Sequence, residues 1–451
     1  MRAAVVTGIA AWLAIAPSVA GADMPHATCP ESVGVSSERL QALDRAMQSL
    51  VAEGRAAGVV TYVARAGRIV HIGAHGLADR EAGIEMRPDT VFRMASQTKA
   101  VTSVAAMMLV EEGRLALDQP VARYLPSFGA LTVAVPGLPS GSGSAERVPA
   151  RRPVTVRDLL THVAGFSYGE GALTGRFWKE IGVVGGYYAD RSETMSTLVE
   201  KMATVPLDAH PGERFVYGHS TDVLGVIIET VSGLSLDAFF RTRIFEPLQL
   251  RDTHFYLPPA ERQRLAAVYR HQNGRLVPAD GPLPVDTQGH FVDGPRVNFA
   301  GGSGLVSTAR DYGRFLQMLL NGGELEGVRL LSPKTVELMT LNHVGTRFAD
   351  AVPQRQGFGF GLGFAVLLDP GQSGVYGSVG SYGFAGAYYT TYWVDPAEDM
   401  VSLLMVQLRP PSDPGLQTTF RDLVYQSIVA PARSNGVSDI DDHRYRCPAE
   451  R

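Results

Sequence analysis

The sequence predicts an α+β fold: one antiparallel sheet flanked by helices, with a mostly helical lobe inserted between the sheet's early and late strands. Strand-like runs sit near both ends of the chain. The long middle carries helical periodicity broken by Gly- and Pro-rich loops. The 451 residues are 45% hydrophobic and 19% charged, enough apolar material for a sizeable core and too little charge for a disordered chain. Length alone allows about three domains or one large two-lobed unit. Strands at both ends that complete one sheet make residues 23–451 a single unit, with a sheet lobe at about 30–90 and 300–435 and a helical lobe at about 91–299.

Residues 1–22 read as an export leader. Arg2 precedes an apolar stretch from Ala3 to Ala16, Pro17 breaks it, and Ala20-Gly21-Ala22 has the form that signal peptidase accepts. The apolar stretch is shorter than the ~20 residues of a membrane span. The mature chain is expected to begin near Asp23 and to be periplasmic or secreted, without stable membrane insertion. An oxidising compartment permits a Cys29–Cys447 bridge that ties the two ends together; the alternative is a pair of free thiols.

Next, Leu40, Leu43, Met47, Leu50 and Val51 recur at helical spacing, predicting a helix over Ser37 to Glu53 that Gly54 stops. Val59–Ala64 and Arg68–Ile72 read as a hairpin across Ala66-Gly67. Gly129 to Pro153 is rich in Gly, Pro and Ser and reads as a surface loop, and a second irregular stretch runs from about Asn273 to Phe299. Strand-like runs return at Phe364–Leu368, Ala387–Val394 and Met400–Gln407, the last two flanking the turn Asp395-Pro396-Ala397-Glu398-Asp399. Leu416 to Ala430 reads as a closing helix.

With 41 Lys+Arg against 45 Asp+Glu the formal charge is −4, which argues against a nucleic-acid partner. Two cysteines are too few for a disulfide scaffold or a Cys-based metal site. His210, His219 and Asp222 match no familiar metal-ligand spacing, so no metal is expected. Gly301–Gly304 lacks the Lys-Ser/Thr of a phosphate loop and reads as a tight turn.

The densest chemical signal is Phe92-Arg93-Met94-Ala95-Ser96-Gln97-Thr98-Lys99. On a helix, Ser96 and Lys99 share a face. The residues that follow, Val101 to Val110, are apolar nearly all round, which marks a buried helix. Burial disfavours a charged lysine and lowers its pKa, so Lys99 can help deprotonate Ser96. Free N–H groups at the helix start can receive an oxyanion. The plainer alternative is a capping serine beside a solvated lysine. Two further segments weigh against it. Pro211-Gly212-Glu213-Arg214-Phe215-Val216-Tyr217-Gly218-His219-Ser220 leads a turn into a tyrosine and then a helix. Gly383-Phe384-Ala385-Gly386-Ala387-Tyr388 offers small residues where backbone approaches a ligand.

These segments, with Asp158-Leu159-Leu160-Thr161-His162-Val163-Ala164-Gly165-Phe166, Gly301 to Ala309 and Leu330 to Val336, resemble the serine β-lactamase-like superfamily: class C β-lactamases, DD-peptidases and family VIII carboxylesterases. The resemblance runs from about Ser36 to Leu408 and implies a β-lactamase/transpeptidase-like fold. It implies that Ser96 is the acylated nucleophile, Lys99 its proton partner, and Tyr217 the general base with a phenol pKa lowered by Lys99. It places the oxyanion hole at the backbone N–H groups of Ser96 and Ala387, and substrate contacts at His219, Phe384, Ala385, Gly386 and Tyr388. His162 is expected to be structural and Trp178 to pack. The chain departs from the class C pattern twice: His219 stands in place of Asn, and Phe384 in place of the Lys that helps hold a β-lactam carboxylate. The aromatic residue resembles the esterase branch. The implied activity is that of an exported serine hydrolase, a carboxylesterase on short or medium acyl esters, needing no cofactor. The alternatives are amide chemistry (β-lactamase, DD- or D-amino-acid peptidase) and a module that recognises penicillin or peptidoglycan without turnover. The expected partner is a small-molecule ester or amide; the oligomeric state is not fixed.

Overall fold

The computed structural model describes residues 24–136, 145–281, 288–409, 415–431 and 446–447. The predicted leader at 1–22 lies outside the described residues. The chain forms an eight-stranded antiparallel sheet. Its strands are β1 (Gly58–Arg65), β2 (Arg68–Asp79), β3 (Ile84–Glu85), β4 (Phe358–Phe360), β5 (Ala365–Leu367), β6 (Tyr382–Ala385), β7 (Thr391–Asp395) and β8 (Met400–Met405). They are ordered β4-β5-β6-β7-β8-β1-β2-β3, so the first and last parts of the chain meet where β1 pairs with β8. The β1–β2 hairpin turns at Ala66 and Gly67, both at positive φ (52° and 67°), as a two-residue hairpin turn that matches strand twist requires.

β1 and β8 are buried along their whole length because helices cover both faces. Side chains alternate across the strand. Val59 and Val63 join a cluster with Leu40, Leu43 and Met47 of helix α1 (Ser37–Ala52) and Phe420 and Val424 of the closing helix. Val60, Tyr62 and Ala64 face the larger core, which contains Phe315 and Leu316. That core also holds helix α2 (Thr98–Glu111), helix α3 (Ser220–Ser232) and helix α4 (Ala309–Leu320). α5 (Leu416–Gln426) closes the α1 face, and the sulfurs of Cys29 and Cys447 are bonded across 418 residues of sequence.

The predicted strand at 387–394 begins only at Thr391. The residues before it form β6 and a turn in which Tyr389 takes φ 71°. The stretch read as loop from Gly129 to Pro153 contains a hairpin, Thr132–Pro136 against Ala145–Pro149. The irregular stretch after Asn273 contains a strand at Arg275–Pro278 and a short helix at His290–Asp293. In both places cross-strand or core contacts outweigh a turn-rich composition.

Candidate active site

Ser96 sits in a short 3-10 turn (Ala95–Gln97) that runs directly into α2. The residue before it, Ala95, is buried with φ 45°. Left-handed backbone at a residue with a Cβ is strained, and such strain persists only where the surroundings fix it. Here the surroundings are tight. Gly386, at the end of β6, packs on the preceding backbone so closely that a Cβ would lie 2.5 Å from the Met94 carbonyl oxygen. The close approach brings Ala387 beside Ala95, in one small packed cluster with Tyr388. Among the described residues neither the Ser96 N–H nor the Ala387 N–H has an acceptor, so two donors stand free where an oxyanion would form.

Lys99 is buried on the first turn of α2, 2% exposed. Its Nζ lies 3.3 Å from Ser96 Oγ, 3.0 Å from the Tyr168 hydroxyl and 2.7 Å from the Gly302 carbonyl oxygen. A carbonyl only accepts, so Lys99 must donate to Gly302. When the amine is neutral, its lone pair is then free to face Ser96, the longest of the three contacts. Burial lowers the Lys99 pKa to about 8, against the opposing pull of Asp222. At neutral pH a usable fraction of the amine is therefore unprotonated.

The backbone of one residue, Gly302, stands between Asp222 and Lys99. Its Oδ1 accepts the Gly302 N–H at 2.8 Å, while the Gly302 carbonyl faces Lys99. A Cβ on Gly302 would lie 2.8 Å from that carboxylate oxygen, so the turn needs glycine. The other oxygen, Oδ2, lies 3.2 Å from His219 Nδ1, which is also 3.1 Å from the Tyr188 hydroxyl. A carboxylate only accepts, so His219 donates its Nδ1–H to Asp222. His219 was expected to touch substrate, and the structure corrects this. It is 0% exposed, with its ring 4.8 Å from both Trp178 and Tyr168. Standing at the N-cap of α3, it turns inward and supports Asp222. Trp178 packs there, as expected.

Tyr217 lies beside the pair, with Lys99 Nζ 4.8 Å from its ring centroid. Among the described residues its buried hydroxyl makes no hydrogen bond of full geometry, yet Ser96 and Tyr168 stand near enough to act on its proton. The expected lowering of its pKa is reversed. Burial raises it, and the Ser96 contact offsets only part of that rise. The phenol is therefore a proton donor at neutral pH, and Lys99 is the better acceptor. His162, at φ 55°, backs the Tyr217 ring at 4.8 Å, and its backbone carbonyl accepts the Val216 N–H at 2.7 Å.

Phe384 is half-buried at the cleft, 5.7 Å from the Tyr217 ring. Ala385 is half-buried beside it, and Gly386 is buried against Met94. Tyr388 was expected to line the pocket. The structure corrects this: it is 0% exposed, packed under the cleft against Val268 and Ala279. Sequence reading missed Tyr168 and Gly302. Tyr168 lies two residues past the Asp158–Phe166 motif, and nothing in its spacing marks it. Gly302 was read as a turn, which it is; its role rests on a backbone carbonyl that no side-chain pattern reveals. Among the described residues no cluster of His, Cys, Asp or Glu could hold a metal.

The Beta-lactamase family model matches residues 43–426. Protein Rv1367c of Mycobacterium tuberculosis is 36% identical over 79% of this chain and 87% of its own length. Esterase EstB of Burkholderia gladioli is 34% identical over 85% of this chain and 94% of its own. Among solved structures, EstCE1, a hydrolase with promiscuous acyltransferase activity, aligns with a TM-score of 0.74 at 29% identity, covering 88% of this chain and 99% of that one. A serine, a lysine of depressed pKa and two free backbone donors thus converge in a chain that belongs to the Beta-lactamase family and is a carboxylesterase-like serine hydrolase.

Proposed function

We propose that the protein is an exported carboxylesterase that hydrolyses esters of short or medium acyl groups through an acyl-enzyme at Ser96. Neutral Lys99 takes the Ser96 proton as Oγ bonds to the ester carbonyl carbon. The carbonyl oxygen gathers charge between the N–H groups of Ser96 and Ala387. As the C–O bond to the alcohol breaks, Tyr217 protonates the leaving oxygen and recovers a proton from the Lys99 ammonium, with the Tyr168 hydroxyl beside both. Water then attacks the acyl-enzyme by the reverse path and frees the acid. The observation that carries ester over amide chemistry is Phe384: an uncharged ring borders the cleft where an ammonium would hold a β-lactam carboxylate. The esterase name of EstB supports the same reading. Export rests on the leader sequence and on the Cys29–Cys447 bond.

The test is turnover of p-nitrophenyl acetate and butyrate by the mature protein and by Ser96→Ala. The variant is expected to keep its melting temperature and lose on the order of 10⁴-fold or more in kcat. Retained activity in that variant removes Ser96 as nucleophile. Faster turnover of nitrocefin or a D-Ala-D-Ala peptide than of either ester would replace ester by amide chemistry.

A further inference from the structure

A cavity of about 230 Å³ runs alongside β6, between α5 and the segment at 346–360. Tyr217, which stands beside Lys99 and Ser96, and Phe384 line it, as do Arg355 and Arg421. Its floor is made of small residues: Ala365 and Gly383 are paired in register, and Ala385 follows on the same face. The Arg421 guanidinium lies 4.8 Å from the Trp393 ring centroid, and Trp393 pairs with Gly383. Arg355 lies 5.5 Å from the ring of Phe358.

The two cations differ in their partners. Arg421 donates its Nε–H to the Tyr376 carbonyl at 2.6 Å and feels the charges of Asp395 and Asp422. Asp395 itself already accepts from the Ser378, Ala397 and Glu398 N–H groups and the Tyr425 hydroxyl. Among the described residues Arg355 has no side-chain hydrogen bond and no ion pair, and the charge that acts on it is the like charge of Arg421. Two guanidiniums, that of half-buried Arg421 and that of exposed Arg355, border one cavity and carry like charge toward it, and a carboxylate fits their planar donor forks.

We propose that this cavity is a subsite for a carboxylate at the far end of the substrate's alcohol arm, held by Arg355 and Arg421, so that esters of hydroxy-carboxylic acids are the preferred substrates. The inference rests on the ester-hydrolase reading above. The alcohol arm is favoured because Tyr217, which protonates the leaving oxygen, lines this cavity. Ser381 also lines the cavity, and the four residue steps from it to Ala385 span roughly 13 Å of extended backbone, so the arm is of medium length. Phe384 leaves the near end uncharged, which places the anion away from the reacting carbonyl.

Turnover of the acetyl ester of ω-hydroxyoctanoate, octyl acetate and ethyl acetate is followed by pH-stat for the wild type, Arg355→Gln and Arg421→Gln. The wild type is expected to favour the carboxylate ester over octyl acetate by about tenfold or more in kcat/KM, the equivalent of one charge-assisted hydrogen bond. Arg355→Gln should erase that preference while leaving ethyl acetate turnover unchanged. If a variant does not fold, competition on the wild type decides: octanoate should inhibit ethyl acetate turnover more strongly than octanol, and added salt should weaken it. Equal handling of the two long esters, or a preference that survives in both variants, overturns the subsite. No hydrolysis of ethyl acetate by the wild type overturns the ester reading itself.

Discussion

Two buried cations show how this fold separates stability from chemistry. Arg65, at the end of β1, has a side chain that is 0% exposed. Its guanidinium donates to the carbonyls of Val33 (3.2 Å), Gly34 (2.9 Å), Ala430 (2.9 Å) and Glu398 (3.0 Å) and to the Glu398 carboxylate (2.6 Å). Every edge of the fork is occupied, and the charge has no reason to leave. Lys99 is as deeply buried, but among the described residues no carboxylate touches it; its counter-charge, Asp222, lies on the other side of the Gly302 backbone. That under-compensation lowers its pKa to about 8. A buried cation with full partners stitches the chain together, and one with distant compensation can release a proton.

Exchanging the two cation types tests the contrast, and the largest effect is expected at the site. Lys99→Arg installs a group that stays charged at any working pH, so kcat on p-nitrophenyl acetate should fall by about 10³-fold. Activity within tenfold of wild type would deny Lys99 its role as proton acceptor. Next comes Arg65→Lys, which keeps the charge and loses the fork. Losing about two hydrogen bonds to a charged group costs about 3 kcal/mol and several degrees of melting temperature. Turnover per folded molecule at 25 °C should be unchanged. The smallest effect sharpens the comparison most. Since the unprotonated lysine is the active form, kcat/KM in the wild type should rise with pH through a midpoint near 8. Asp222 raises the Lys99 pKa, so Asp222→Asn should move that midpoint to lower pH. A purely structural role for Asp222 would lower activity without moving the midpoint.

Much of this was legible before any coordinates. The Ala66-Gly67 turn, the apolar run after Lys99 and the late strands carry periodicity and turn chemistry that act locally, and the Ser96–Lys99 spacing needs only a helix to become a contact. What stayed illegible depends on which way a side chain turns once the lobes meet. His219 and Tyr388 lie within one or two residues of Tyr217 and Gly386, yet both point into the interior. The predicted strand at 387–394 merged two different things: a turn that delivers the Ala387 N–H and a strand that starts at Thr391. The Tyr217 pKa was expected to follow its cationic neighbour, but burial of the phenol hydroxyl raises it instead.

The bond between Cys29 and Cys447 closes the polypeptide into a ring, clasped on the side of the sheet where α1 and α5 lie. Reducing it would open that ring, while buried Met24 and the backbone bonds of Pro25 and Ala27 to Ile69 still hold the N-terminal segment. Durability and catalysis can therefore be adjusted at different places in the same molecule, and a weakened clasp should shorten the working life of the protein long before it slows a single turnover.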